Sequence, residues 1–415
     1  MSKIIKKQDG AVSPIVIVLL IAVIAVGAFA FANVSNNDDD GDNNTSTSQN
    51  QEAAVSASDL RVGLNNALRE HVNLAGLALR NVFTESADVD ATVAALDDNS
   101  VEVSALVGAA YGDDAEESFL ELWRQHITFF ANYTAAARDG DTAAMDQAKE
   151  DLAGYGEAAS NFFASANPDN LPKEAVMPLL EEHRDLVLST IDLIGAGDFE
   201  AAYAKLGEAA DQAGEIGNAL AGGIAAQMPE KFAGDVNAPS VDLRVGLNNA
   251  LREHVNLAGV ALRNAFTESP DLEGSVAALD ANSVEVSALV GAVYGDDAEE
   301  SFLELWRQHI TFFVNYTVAA RDGDTAGMDQ AREDLAGYGE AASNFFANAN
   351  PNLPKDAVMP LLEEHRDMVL ATIDAIGAGD FADAYKKLGA AADQAGSGIA
   401  DSLAKGISAQ FPEKF

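Results

Sequence analysis

The chain predicts an all-α fold: two tandem copies of a six-helix bundle, three αα-hairpins in each, after an N-terminal transmembrane helix. Three observations lead there. Residues 59–232 recur almost unchanged as residues 242–415, both copies opening Asp-Leu-Arg-Val-Gly-Leu-Asn-Asn-Ala-Leu-Arg-Glu-His and closing Pro-Glu-Lys-Phe. Inside each copy, long alanine- and leucine-rich stretches have helical periodicity, and nowhere is there the sustained two-residue alternation of a strand. All six histidines of the chain fall at matching places on these stretches: His71, His126 and His183 in the first copy, His254, His309 and His365 in the second.

The leader comes first. Residues 1–10 carry Lys3, Lys6 and Lys7, and residues 11–32 form an uncharged run of about 22 residues, long enough to cross a hydrocarbon core as a helix. Lysines before the run and Asp38, Asp39 and Asp40 after it put residues 1–10 in the cytoplasm and the bulk of the chain outside. Two cleaved forms compete with a retained anchor. Ala30-Phe31-Ala32 has the small-x-small form of a signal-peptidase site. The Gly10-Ala-Val-Ser-Pro-Ile15 segment resembles archaeal type IV pilin-like leaders, although Gln8 and Asp9 separate it from the lysines. All three forms export the protein, either membrane-anchored or secreted. Residues 33–55 are polar, acidic and rich in Asn, Ser and Thr, which predicts a flexible spacer. Asn33, Asn43 and Asn44 there lie in glycosylation sequons.

In repeat 1 (59–232), helices break at Glu85-Ser-Ala, Tyr111-Gly-Asp, Asp139-Gly-Asp, Asn167-Pro-Asp and Gly195-Ala-Gly-Asp198. Gly112, Gly140 and Gly197 are suited to stop helices, and Asp113, Asp141 and Asp198 to cap the next ones. Five breaks give six helices, grouped as three hairpins that each open with a histidine helix. The spacing supports an older triplication: His71 to His126 is 55 residues and His126 to His183 is 57, against 55 and 56 in the second copy. Residues 233–241, with Gly234 and Pro239, form a linker to repeat 2 (242–415).

Composition narrows the function. Of 415 residues 48% are hydrophobic, enough to bury cores, and the formal net charge is −41. Such a surface repels nucleic acid. With no cysteine in the chain, disulfides, thiolate metal sites, iron–sulfur clusters and cysteine nucleophiles are excluded. There is no glycine-rich phosphate loop, and no nucleophile stands at a recognisable spacing from a base. The sequence favours a binding or structural protein over an enzyme.

The histidines carry the most specific signal. Three and four residues from His71 stand Ala67, Leu68, Leu74 and Ala75; around His126 stand Leu122, Trp123, Phe129 and Phe130; around His183 stand Leu179, Leu180, Leu186 and Val187. Such neighbours share a helix face, so each histidine points to the core. If the first helices of the hairpins pack inward, three imidazoles meet in each repeat. Three neutral imidazoles make a zinc or copper ligand set, and a pair could ligate haem iron. Glu70, Glu181 and Glu182 are available as supporting carboxylates, with Asn73 and Asp185 less well placed. The competing expectation is that these are hydrogen-bonded core histidines copied by the triplication. Trp123, Phe129, Phe130 and Tyr133 read as core, capped by Phe162 and Phe163. Leu68, Trp123 and Leu180 stand where a di-iron Glu-x-x-His motif needs glutamate, and Val72, Ile127 and Arg184 where a zinc-protease motif does.

The segment Tyr111–His126 and the closing Gln-x-Pro-Glu-Lys-Phe (227–232 and 410–415) resemble a helical domain of exported Gram-positive bacterial proteins, often found with a copper-amine-oxidase N-terminal-like module. The resemblance covers both repeats but neither leader nor spacer, and the accessory module and any amine oxidase catalytic domain are lacking. It implies a helical fold and a location outside the cell, not an activity. The reading is thus a membrane-anchored protein binding zinc, copper or haem through these histidines. The alternative is a surface or envelope protein, pilin-like in one version, whose histidines serve the core.

Overall fold

The computed structural model describes residues 55–415. The apolar run 11–32 and most of the spacer lie outside them. The described residues are all-helical, with no strand among them. In repeat 1, α1 (Ala57–Thr84), α2 (Val89–Tyr111), α3 (Asp113–Asp139), α4 (Thr142–Ala166), α5 (Lys173–Ala196) and α6 (Phe199–Gln227) follow one another. Repeat 2 has α7 (Pro239–Thr267), α8 (Leu272–Tyr294), α9 (Asp296–Asp322), α10 (Thr325–Ala349) and α11 (Lys355–Gly377). Its last helix, α12, runs as Phe381–Asp393, a π-helical stretch Gln394–Ala400, and Asp401–Gln410.

The expected breaks are where the helices end. Gly140 and Gly197 close α3 and α5 at φ 71° and 74°, a left-handed conformation that glycine adopts without steric cost. Asp141 and Asp198 then accept from the backbone N–H of Ala144 and Ala201, capping α4 and α6. Asp113 departs from expectation: it is the first residue of α3, and Gly112, at φ 94°, takes the cap position. The linker is shorter than the sequence suggested, because Pro239–Val241 already belong to α7. Proline suits a helix start, where its missing N–H leaves no bond unmade.

Each hairpin pairs its two helices, and the histidine helices α1, α3 and α5 also contact one another, as do α7, α9 and α11. Leu64, Val72, Tyr133 and Ile191 are buried between them in repeat 1. Leu251, Val255, Tyr316 and Ile373 do the same in repeat 2.

The two repeats pack as one compact unit, Ala54–Phe415. Helices α1 and α7 pack against each other at the join, flanked by α6 against α8 and α12 against α2. Every ionic contact across this join has a mirror image. Arg80 holds Asp271 (Nε–Oδ2 2.9 Å) while Arg263 holds Asp88 (3.1 Å). Arg69 pairs with Glu253 and Arg252 with Glu70. Arg61 reaches Asp242 and Arg244 reaches Asp59, both at 2.6 Å. The Tyr203 hydroxyl donates to Asp271 and that of Tyr385 to Asp88. The side chains of Asp88 and Asp271 are fully buried. Arginine and serine hydrogen bonds hold both carboxyls below the usual carboxylate range although burial opposes this. Isolated, such a buried charge would be strongly unfavourable; three donors on each carboxylate offset its desolvation.

The histidine cavities

His71, His126 and His183 line a single cavity of about 50 Å³, and His254, His309 and His365 line a second of about 60 Å³. The contacts among the histidine helices bring this about. In each trio two imidazoles touch. His71 Nε2 lies 3.2 Å from His126 Nε2, and His254 Nε2 lies 3.2 Å from His309 Nε2. These four residues are only 3–4% exposed. His183 and His365, part-exposed, stand at the mouth of each cavity, beside Glu181 and Arg184 or Glu363 and Arg366.

Aromatic rings hold the pair in place. Trp123 packs on both imidazoles with ring centroids 4.6 Å away. Tyr155 stacks on His126 at 4.7 Å and 25°. Trp306 and Tyr338 repeat the arrangement around His254 and His309. Burial in this apolar setting disfavours the charged form. It lowers His71 and His254 to about 3, helped by repulsion from His183 and His365. The same causes, with the partner imidazole added, hold His126 and His309 well below the usual histidine range.

The pair is therefore neutral, and its hydrogen bonding does not close. A neutral imidazole carries one N–H and one lone pair. The Nδ1 atoms of His71, His126, His254 and His309 are all buried without a partner, and so is the indole Nε1 of Trp123 and Trp306. Asn99, whose amide nitrogen donates to the Ala67 carbonyl at 3.0 Å, faces His71, and the Trp123 backbone faces His126, but neither makes a well-formed hydrogen bond to an Nδ1 atom. An Nε2–H shared between the rings leaves one Nδ1 lone pair unsatisfied in the core. Two Nδ1–H tautomers put the Nε2 lone pairs face to face. A cation between the Nε2 atoms removes that conflict. Two imidazole nitrogens bound at ~2.0–2.1 Å to one tetrahedral ion stand ~3.3–3.4 Å apart, close to the separation here.

The third histidine differs between the copies. His183 Nδ1 meets Gln212 Oε1 at 3.2 Å, and the Gln212 amide donates to the Leu179 carbonyl at 2.7 Å. That chain orients the glutamine, makes Nδ1 the protonated nitrogen of His183 and leaves its Nε2 with a lone pair. Gln394 likewise donates to Leu361, at 2.9 Å, and its Oε1 faces His365, but Oε1 and His365 Nδ1 make no well-formed hydrogen bond. Burial lowers His183 and His365 to about 4, against the opposing glutamine.

No protein-family model, curated protein or solved structure matches the chain. The chemistry of the cavities rests on their own residues.

Among the described residues no three histidine or carboxylate side chains come together closely enough to hold a metal ion as they stand. Each cavity offers a two-nitrogen seat with a third imidazole on its wall. Haem does not fit the pair, because no porphyrin can pass between nitrogens 3.2 Å apart. Of the carboxylates expected to support the site, Glu181 lines the cavity and Glu182 is not among its lining residues. Glu70 turns away to Arg252 across the repeat join. It stands next to His71 in sequence, and adjacent helical residues point in different directions. Tyr155 and Gln212 were not singled out from sequence. Each comes from the second helix of a hairpin, and only the fold brings it to the imidazoles.

Proposed function

We propose that the protein is exported, anchored by residues 11–32, and presents two six-helix bundles that each bind one zinc or copper ion. His71 and His126 supply two nitrogens in repeat 1, and His254 and His309 in repeat 2. His183 and His365 turn in from the mouth as the third. The observation that supports this most is the facing of two neutral imidazole nitrogens at 3.2 Å in an apolar cavity, in both copies. Three histidine nitrogens leave a fourth position for water or a small ligand, as in open zinc sites. The cavities, at about 50 and 60 Å³, have room for little more than that.

The test is metal content. The full chain, purified in a bile-salt detergent and equilibrated with zinc or copper, should retain two ions by elemental analysis. His126→Ala and His309→Ala should each remove one, and the double variant both. A folded, unmutated chain that retains neither ion would refute the proposal.

The absence of a ready-made three-ligand set among the described residues favours a second reading, that of a surface or envelope protein whose histidines only fill its core. It expects His126→Ala to lower the melting temperature equally with and without metal.

A further inference from the structure

Repeat 2 has a larger space that shares the same three histidines. A cleft of about 460 Å³ is lined by the first half of α8, the second half of α9 and residues of α7, α11 and α12. Small residues on α7 (Ala258, Ala261 and Ala265) make its floor, and Leu279, Ile310 and Val314 its walls. Val276 and Val318 form the rim and are 46% and 36% exposed. Its lining includes His254, His309 and His365.

Both ends of the cleft are closed by arginines reaching from α9. Arg307 spans to Asp280 with bonds of 2.6 and 2.8 Å. Arg321 reaches the Ala265 carbonyl at 3.4 Å and Glu268 at 3.3 Å. At 1.5 Å per helical residue the two arginines stand roughly 20 Å apart along α9. The lining thus runs along α9 between two arginine bridges, which a helix lying along it would meet. Its volume falls in the range of small-molecule sites, which combine apolar walls with a few convergent polar groups. The cationic groups at its ends are already paired, and a chain of net charge −41 repels anions. A fatty acid or phospholipid is therefore the wrong ligand.

We propose that this cleft binds a linear, uncharged hydrocarbon chain, acyl or isoprenoid, with its single hydroxyl or carbonyl oxygen toward His309 and its tail along Ile310, Val314 and Val318. The site does not depend on metal binding.

The test uses Trp306, whose ring lies 4.6 Å from that of His309, so that bromine at the head of a bound chain can quench it. The full chain carrying Trp123→Phe, in a bile-salt detergent without alkyl chains, is titrated with 2,3-dibromohexadecanol. Saturable quenching is expected, at least tenfold weaker in Val276→Arg and in Val318→Arg. It should be unchanged in Val284→Arg, which alters a valine that is 44% exposed but outside the cleft. Displacement by hexadecanol or by farnesol then distinguishes an acyl from an isoprenoid chain. Quenching that does not saturate, or that persists in both rim variants while circular dichroism shows them folded, would overturn the proposal.

Discussion

The two repeats are nearly the same sequence, yet they treat their third histidine differently. In repeat 1 Gln212 sits in an unbroken α-helix and holds His183 at 3.2 Å. In repeat 2 Gln394 is the first residue of the π-helical stretch and faces His365 without a well-formed hydrogen bond. The sequence explains why. Gln212 to Ile224 spans twelve residues, whereas Gln394 to Ile407 spans thirteen, and a π turn is how a helix absorbs one extra residue. Beyond it, Leu403 and Ile407 return to the core as Leu220 and Ile224 do. The comparison separates two demands that usually coincide. Packing absorbs the insertion, while the hydrogen bond to one imidazole loosens.

The largest expected effect lies where the repeats agree. Asp88→Ala and Asp271→Ala each strand a buried arginine, and each should cost about 3–5 kcal/mol in denaturant unfolding. Equal losses would confirm that the join is symmetric in energy as well as geometry. Metal affinity should then reveal the asymmetry. Removing Gln212, which orients a ligand, should weaken binding in repeat 1 by about 10–100-fold. Gln394→Ala should weaken binding in repeat 2 by less in the same titration. Deleting Ser397 should turn the π stretch into α-helix, tighten the contact between Gln394 and His365, and bring the two affinities together. If they stay apart, the insertion is not the cause.

Acid should act on both copies alike. His71 and His254 have folded-state values of about 3, and the part-exposed His183 and His365 of about 4, below the 6.5 of a free imidazole. The unfolded chain therefore binds the extra protons. The stability is complete above pH 6.5 and falls as pH drops toward 4, which denaturant titrations at pH 7.5 and 5 would detect. The smallest effect is expected of Arg307→Ala, whose pair with Asp280 is half-exposed; such pairs contribute about 0–1 kcal/mol.

Much of this was legible in sequence because helices report themselves locally. The apolar neighbours three and four residues from each histidine identified the inward face, and Gly140-Asp141 and Gly197-Asp198 marked the turns. The Nε2 contact required the hairpins to be packed, which periodicity does not encode. Glu70 shows the limit most clearly. Its place beside His71 suggested a supporting carboxylate, but its partner, Arg252, is 182 residues away. Nor did near-identity of the repeats disclose that they share a face. The π stretch was within reach, since the one-residue offset is visible once the copies are aligned.

The mirrored join has a further consequence. Asp271 occupies in repeat 2 the place of Asp88 in repeat 1, and Glu253 that of Glu70, so each repeat carries both halves of every pair. The face is self-complementary, and a repeat has no chemical means of telling its neighbour in the chain from the same repeat in another molecule. What favours the neighbour is tethering, which raises its local concentration. Cutting the connector between Gln227 and Pro239, or making it too short to span, would weaken that preference and permit reciprocal exchange between molecules. The length of a short connector, more than the chemistry of the face, decides whether the protein closes on itself or on a second copy.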